Sequence, residues 1–334
     1  MIRRGVWVFL SFFVLLAIGI RTDAVVHKAH NQESESTVVL APLVMQNVED
    51  AVKVEPEYTP TDNPQQKSQN SQEIDEELIL TFLTFNIHSA NNQAGNVTLE
   101  QIIEEIKETD AQIIGLQEVE NRMPRSDYKD QARLIAEELG YHYYYGENIN
   151  ILGVQYGNAL LSKYPIIDAQ NHKLPKKLLE PRGLIEARID VEGTPYHVYV
   201  THLGLNPVER DMQIDYINEQ VSKREGNIFI LGDFNNHPDS EEMQKLDTFM
   251  VDSAAALDKC DLFTFTNWIE TPKERIDRIY VSEQIDLKHH EVMLSEVSDH
   301  RRVITQIVHK TQTGEGIYNA VANKDNNGVS LPID

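Results

Sequence analysis

The chain has 334 residues, a formal net charge of −23 and a single cysteine, Cys260. One cysteine excludes an intramolecular disulfide, and the acidic balance excludes the broad basic footprint of a strong duplex-DNA binder. The length suffices for one large or two ordinary domains, stabilised by their cores without bridges.

Residues 1–24 read as a signal peptide or an N-terminal anchor. Arg3 and Arg4 precede an apolar run from Gly5 to Ile20, short for a spanning helix of about 20 residues, and Thr22-Asp23-Ala24 offers a cleavage site. The expectation is an exported protein, secreted or attached to the outer face of the cell membrane. Residues 25–76 turn to Gln, Asn, Ser, Pro and acidic side chains and read as a mostly disordered acidic linker. Within it, only Val38 to Met45 is apolar enough for a short ordered element. The tail 311–334 is again polar and reads as disordered. The remaining 77–310 is one domain by size, expected to be monomeric. The leader carries +2, the linker −7 and the tail −2, which leaves −16 for the core.

Leu78 to Phe85 is β-branched and aromatic, a strand by propensity, and Asn86, Ile87 and His88 follow it. Thr98 to Gln101 has the form of a capping box, with Ile102, Ile103 and Ile106 on one helical face. Ala111 to Leu116 is a short buried strand that delivers Gln117 and Glu118. A helix over about Lys129 to Leu139 stops at Gly140. Tyr141 to Tyr145 and Gly157 to Ser162 read as antiparallel strands. Gly183 to Val191 alternates charged and apolar residues, the period of a half-exposed strand, and Tyr196 to Thr201 is its partner, ending at His202. Asn206 caps the next helix, with Pro207 first and Ile214, Ile217 and Val221 as its apolar stripe.

The continuous apolar run Ile228 to Leu231 predicts a strand buried on both faces. Gly232 follows as a turn residue that avoids crowding a ligand, and then come Asp233 and Asn235. Arg275 to Val281 and Val292 to Val297 read as the last pair, leading into Ser298-Asp299-His300, and Val303, Ile304, Ile307 and Val308 mark a final strand. Strands alternating with helices, mixed with hairpins, predict an α/β (α+β) layered domain. The sequence has no repeats, no Gly-rich phosphate loop, no zinc spacing and no Gly-x-Ser-x-Gly elbow.

The polar residues at the strand ends are Asn86, Glu118, His202, Asp233, Asn235, Asp299 and His300. Each alone also fits a cap, a turn or a satisfied core histidine. Together they form an oxygen-rich set without thiolate, suited to a hard cation such as Mg²⁺, with Mn²⁺ as the alternative. Carboxylates, amides and imidazoles of this kind fit attack of water on phosphorus.

The ordered motifs Phe-Asn-Ile-His, Leu-Gln-Glu-Val, Thr-His-Leu, Gly-Asp-Phe-Asn, Ile-Asp-Arg-Ile and Ser-Asp-His resemble the endonuclease/exonuclease/phosphatase superfamily over about residues 80–308. The resemblance implies a four-layer sandwich, two packed mixed β-sheets flanked by helices, with the cleft at the sheet ends. It implies that Glu118 ligates the metal, with Asn86 beside it and Asp299 also serving the metal. Asp233 would orient or deprotonate water, and Asn235 would hold that carboxylate and a phosphate oxygen. His300, supported by Asp277, would bind the scissile phosphate, and His202 would donate to it. Arg182 resembles a phosphate-binding arginine, and Asn158 a further phosphate contact that fits a strand-edge turn equally well. His88 packs beside the site, and Asn96-Val97-Thr98 matches the glycosylation pattern but is already explained by a helix cap. The implied activity is an exported Mg²⁺-dependent phosphodiesterase or phosphatase acting on a lipid headgroup or a small phosphate ester, with a membrane tether as one form of attachment. The alternatives are a secreted or surface-tethered DNase or RNase, with nucleic acid as the partner, and a binding module that has lost catalysis.

Overall fold

The computed structural model describes residues 77–177, 180–268 and 274–310. The leader, the linker with Val38–Met45 and the tail lie outside the described residues. The described residues hold twelve strands: β1 (Ile79–Asn86), β2 (Ile113–Asn121), β3 (His142–Ile151), β4 (Val154–Ser162), β5 (Ile166–Lys173), β6 (Gly183–Val191), β7 (Thr194–His202), β8 (Asn227–Asp233), β9 (Val251–Asp252), β10 (Asp277–Val281), β11 (Leu287–Met293) and β12 (Arg302–Val308). The helices are α1 (Leu99–Lys107), α2 (Gln131–Leu139), α3 (Pro207–Val221), α4 (Glu241–Asp247) and the single turn α5 (Ser253–Ala256). Among the described residues no helix is long and apolar enough to cross a membrane.

Two six-stranded mixed sheets form, in the orders β11-β12-β1-β2-β4-β3 and β5-β6-β7-β8-β10-β9. Each contains one parallel pair at its centre, β1 with β2 and β7 with β8. A helix crosses over within each parallel pair, α1 and α3 respectively, as parallel neighbours require. The inner faces pack against each other through Phe82, Ile113, Val198, Phe229, Leu231 and Ile279, and Phe82 and Phe229 stack at 4.1 Å. The outer face of the first sheet is covered by Ile102, Ile106, Ala132 and Ile135 of α1 and α2. The outer face of the second lies under Ile214, Ile217, Val221 and Leu246 of α3 and α4. The described residues therefore fold as the expected four-layer sandwich.

Several local expectations need correction. Thr98 makes no side-chain cap bond, so the capping box is not formed. Asp130 instead caps α2, accepting from Arg133 N at 3.2 Å, and Asn206 caps α3 through Val208 N and Glu209 N. The strand expected over Val292–Val297 is displaced to Leu287–Met293, because Ser295 Oγ accepts from Val297 N and Ser298 N and turns the chain there. Strand β6 is half-exposed only toward its end, where Arg188 is exposed and Asp190 half-buried. Its outward Glu186 is enclosed by His172, Gln170, Tyr199 and Arg224, so that position of the alternation marks an ion-pair network. Gly232 does not turn the chain. It lies inside β8, where a Cβ would meet Thr201 O at 2.5 Å, so the close approach of β7 demands it.

One buried histidine gives the fold a pH dependence. His290 Nδ1 lies 3.1 Å from Ser253 Oγ and 3.0 Å from Thr305 Oγ1. Burial outweighs the nearby Asp252 and pushes its pKa down to about 4. The unfolded chain protonates this ring near 6.5 and the folded chain does not, so stability is full above about pH 6.5 and falls as pH drops toward 4. The loss is on the order of 3 kcal/mol. Urea unfolding across that interval measures it, and His290→Asn flattens the slope.

Candidate active site

The sheet topology brings the chemistry to one end. The parallel strands β1 and β2 deliver Asn86 and Glu118 at their carboxyl ends, and β7 and β8 deliver His202 and Asp233 in the same way. The antiparallel strand β10 begins at that end with Asp277, and β12 follows directly on Asp299 and His300. Register fixes the neighbours: His202 lies opposite Asp233, and Asp233 opposite Asp277. Strand β2 slips register against β4 between Leu116 and Val119, and Glu118 at this bulge has φ 57°. A bulge re-aims a side chain, and a left-handed non-glycine residue stores about 1–3 kcal/mol of strain. Asn235, with φ 50°, and His88, Ser89 and Ala90, all at positive φ, add to the strained backbone around the same opening.

Asp233 is the hub. Its Oδ2 accepts from Asn86 Nδ2 at 3.1 Å and lies 3.4 Å from His202 Nε2 and 3.7 Å from His300 Nε2. Its Oδ1 accepts from Asn235 N at 2.9 Å, while Asn235 Nδ2 donates to Leu203 O. His300 Nδ1 is clasped by both oxygens of Asp277, at 3.0 and 2.9 Å. Asn86 Nδ2 also donates to Glu118 Oε1 at 3.2 Å, and its Oδ1 accepts from His88 N, so the amide bridges two carboxylates. Arg182 Nη1 donates to His202 Nδ1 at 2.8 Å. Asn158 is fully buried and donates to the Gly183 carbonyl at 3.3 Å, beside Arg182. Asp299 lies 3.1 Å from His88 Nδ1.

The electrostatics separate the two imidazoles on Asp233. Burial alone would discharge His300, but Asp277, Asp233 and Asp299 outweigh it and hold its pKa at about 10. Burial, Arg182 and His300 instead drive His202 well below the ordinary range and keep it neutral. Burial and the Asp277 charge raise Asp233 to about 7, against the stabilising pull of His300, Asn235 and Asn86.

Among the described residues, Asp233, Asp277 and His300 form a buried cluster of metal-ligand spacing. An ion at its centre would have to displace the His300–Asp277 clasp. The half-buried Glu118 with Asp299 at the opening offers hard oxygen donors without breaking that pair, and both act electrostatically on His88. This donor set fits a hard divalent cation.

Other residues line the opening without having been placed there by the sequence. Trp268 meets the His88 ring edge-on at 5.6 Å, and Phe265 tilts against His300 at 4.7 Å. Glu180 lies 3.6 Å from Arg182. Arg125 pairs with the buried Glu120 and donates to Ser89 Oγ. Tyr156 is held far above its ordinary pKa by burial and by Glu118 and Glu180. Position in chain gave the only available signal, since Tyr156 lies near the start of β4 and Arg125 shortly after β2.

The family model described as "Endonuclease/Exonuclease/phosphatase family" matches residues 83–300. The uncharacterized protein YbhP of Escherichia coli K12 is 28% identical over 228 residues, covering 60% of this chain and 83% of that protein. The endonuclease/exonuclease/phosphatase of Beutenbergia cavernae aligns with a TM-score of 0.57 at 21% identity, over 69% of this chain and 71% of its own. The mannosyl-6-phosphatase Bt3783 of Bacteroides thetaiotaomicron aligns at 0.56 with 18% identity, over 69% of this chain and all of its own.

Proposed function

Since the chain belongs to the endonuclease/exonuclease/phosphatase family, we propose that it is an exported, Mg²⁺-dependent phosphoester hydrolase in which Asp233 activates water. The observation that carries this reading is the convergence on Asp233 Oδ2 of Asn86, neutral His202 and cationic His300, the last backed by Asp277.

Glu118 and Asp299, with Asn86 beside them, would hold the cation. Once bound, the cation supplies positive charge that neutralises phosphate oxygens and favours attack at phosphorus. Asp233, poised near neutrality, accepts a proton from water as the new oxygen–phosphorus bond forms, which suits a general base. The phosphorus–oxygen bond to the leaving group breaks, and that oxygen takes its proton from solvent. His300 offers Nε2–H and full positive charge to the phosphoryl oxygens as negative charge builds. His202 offers a second, uncharged Nε2–H. Asn235 fixes the Asp233 carboxylate through its backbone N–H.

Export is supported by Arg3, Arg4 and the apolar run to Ile20, and cell fractionation of the tagged full chain tests it. The net −16 of residues 77–310 favours small or lipid-linked phosphoesters over nucleic acid. A metal-dependent screen of sphingomyelin, inositol phosphates, mannose 6-phosphate, DNA and RNA decides among them. The fold relative named a mannosyl-6-phosphatase puts the sugar phosphate in that panel. Preferred cleavage of DNA or RNA would replace the proposal by the nuclease alternative.

Glu118→Gln removes one negative oxygen donor from the opening. The Mg²⁺ concentration giving half-maximal rate should rise at least about 10-fold, while the rate at saturating Mg²⁺ recovers in part. A metal titration of the variant with an unchanged midpoint would remove Glu118 from the metal site.

A further inference from the structure

Two imidazoles flank Asp233, and each is gripped from behind on the same ring nitrogen by a partner of opposite charge. His300 Nδ1 is held by the carboxylate of Asp277, at 2.9 and 3.0 Å. His202 Nδ1 is held by the guanidinium of Arg182 at 2.8 Å. A guanidinium has donors and no acceptor. The contact therefore makes His202 Nδ1 the acceptor and puts the ring's single proton on Nε2, which faces Asp233. Both side chains are at most 5% exposed, so water does not compete for the bond.

We propose that Arg182 is a positioning residue that acts through His202, fixing its Nε2–H tautomer and keeping it neutral, rather than contacting the substrate phosphate itself. Its other groups support this assignment. Nη2 faces Glu180 at 3.6 Å, and Nε is enclosed without a partner. Burial works against the Arg182 charge, yet the carboxylates of Glu180, Glu118 and Asp233 preserve it. Arg182 thus remains a permanent donor to the ring. Were His202 to carry a proton on both nitrogens, Nδ1–H would point at the guanidinium. The two rings therefore divide the work: one cation and one neutral donor address the same carboxylate and the same substrate oxygens. Such partners of a working histidine fix its tautomer and orientation, and losing one typically costs about 10- to 100-fold in activity.

This inference rests on the hydrolase reading for its catalytic consequence but not for its structural one, and nitrogen NMR of the full-length, ¹⁵N-histidine-labelled protein separates the two. With His202 identified by comparison with His202→Asn, the wild-type ring should show an unprotonated Nδ1 and a protonated Nε2 across neutral pH. Arg182→Met should abolish this pattern, giving mixed tautomers or a protonated ring, and Arg182→Lys, whose ammonium can still donate, should restore it in part. A protonated Nδ1 in the wild type overturns the proposal even if the Met variant fails to fold. In hydrolysis assays, Arg182→Met should lower kcat about 10- to 100-fold with KM little changed. The same substitution should cost almost nothing further in a His202→Ala background. An equal loss in both backgrounds would mean that Arg182 contacts the substrate directly, against the proposal. Absence of hydrolysis in every variant and the wild type would refute the hydrolase reading and leave the tautomer to the NMR result.

Discussion

Replacing Asp233 by Asn should lower kcat for phosphoester hydrolysis by about 10²- to 10⁴-fold, the range of a lost general base, while flattening the protein's loss of stability between about pH 4 and 7. The two effects have one cause. Asp233 is buried beside Asp277, and these two influences raise its pKa to about 7. An unfolded Asp ionises near 3.8, so the folded chain holds its proton more tightly. Stability therefore falls as pH rises from about 4 to 7, and the penalty is complete above 7. An amide of the same shape cannot ionise and still accepts from Asn235 N through its oxygen, but its Nδ2 meets the donors Asn86 Nδ2, His202 Nε2 and His300 Nε2 where the second carboxylate oxygen had been. Calorimetry between pH 4 and 8 should show a flatter fall in Tm for Asp233→Asn than for the wild type, with kcat measured on the same samples. A variant that is active and loses Tm as steeply with pH would contradict the assignment.

The second large effect belongs to the His300–Asp277 pair. His300→Ala removes a buried cation facing the phosphoryl oxygens and should cost about 10²-fold or more in kcat. Asp277→Asn leaves the ring in place but replaces its leading charged partner by a neutral amide. Burial then dominates, the ring loses its proton near neutrality, and kcat at pH 7 should fall by a similar factor. Restoring the charge by lowering pH should recover part of the Asp277→Asn rate but none of the His300→Ala rate. Equal pH profiles for the two variants would show that Asp277 does more than hold the charge on His300.

Much of this arrangement was legible in the sequence because the fold places its polar residues where apolar runs stop. Ile228 to Leu231 announced a doubly buried strand, and β8 carries that run straight on to Asp233. Phe85-Asn86 and Thr201-His202 follow the same rule, Ser298-Asp299-His300 sits instead in the loop before β12, and the order of these motifs pointed to the family. What escaped detection has definite physical origins. The bulge at Glu118 depends on how β2 meets β4, a non-local register that no local pattern encodes. Strand β5, with Asp168, Gln170, Asn171 and His172, has no apolar period because its polar side chains bond to β3, β6 and α3. The alternation in β6 suggested a solvated face, whereas Glu186 there is enclosed by its partners. Gly232 looked like a turn and is a point of close strand approach. The grip of Arg182 on His202 spans 20 residues and two neighbouring strands, and only the folded sheet discloses it.

The claim at the centre of this account is that Asp233 directs water at phosphorus. A single turnover of a diester such as bis-p-nitrophenyl phosphate, run with Mg²⁺ in heavy-oxygen water, tests it most directly. The account predicts one heavy oxygen in the phosphate monoester product and none in the nitrophenol, with Asp233→Asn forming neither product on the same timescale. Heavy oxygen in the nitrophenol, or undiminished turnover by Asp233→Asn, would contradict it.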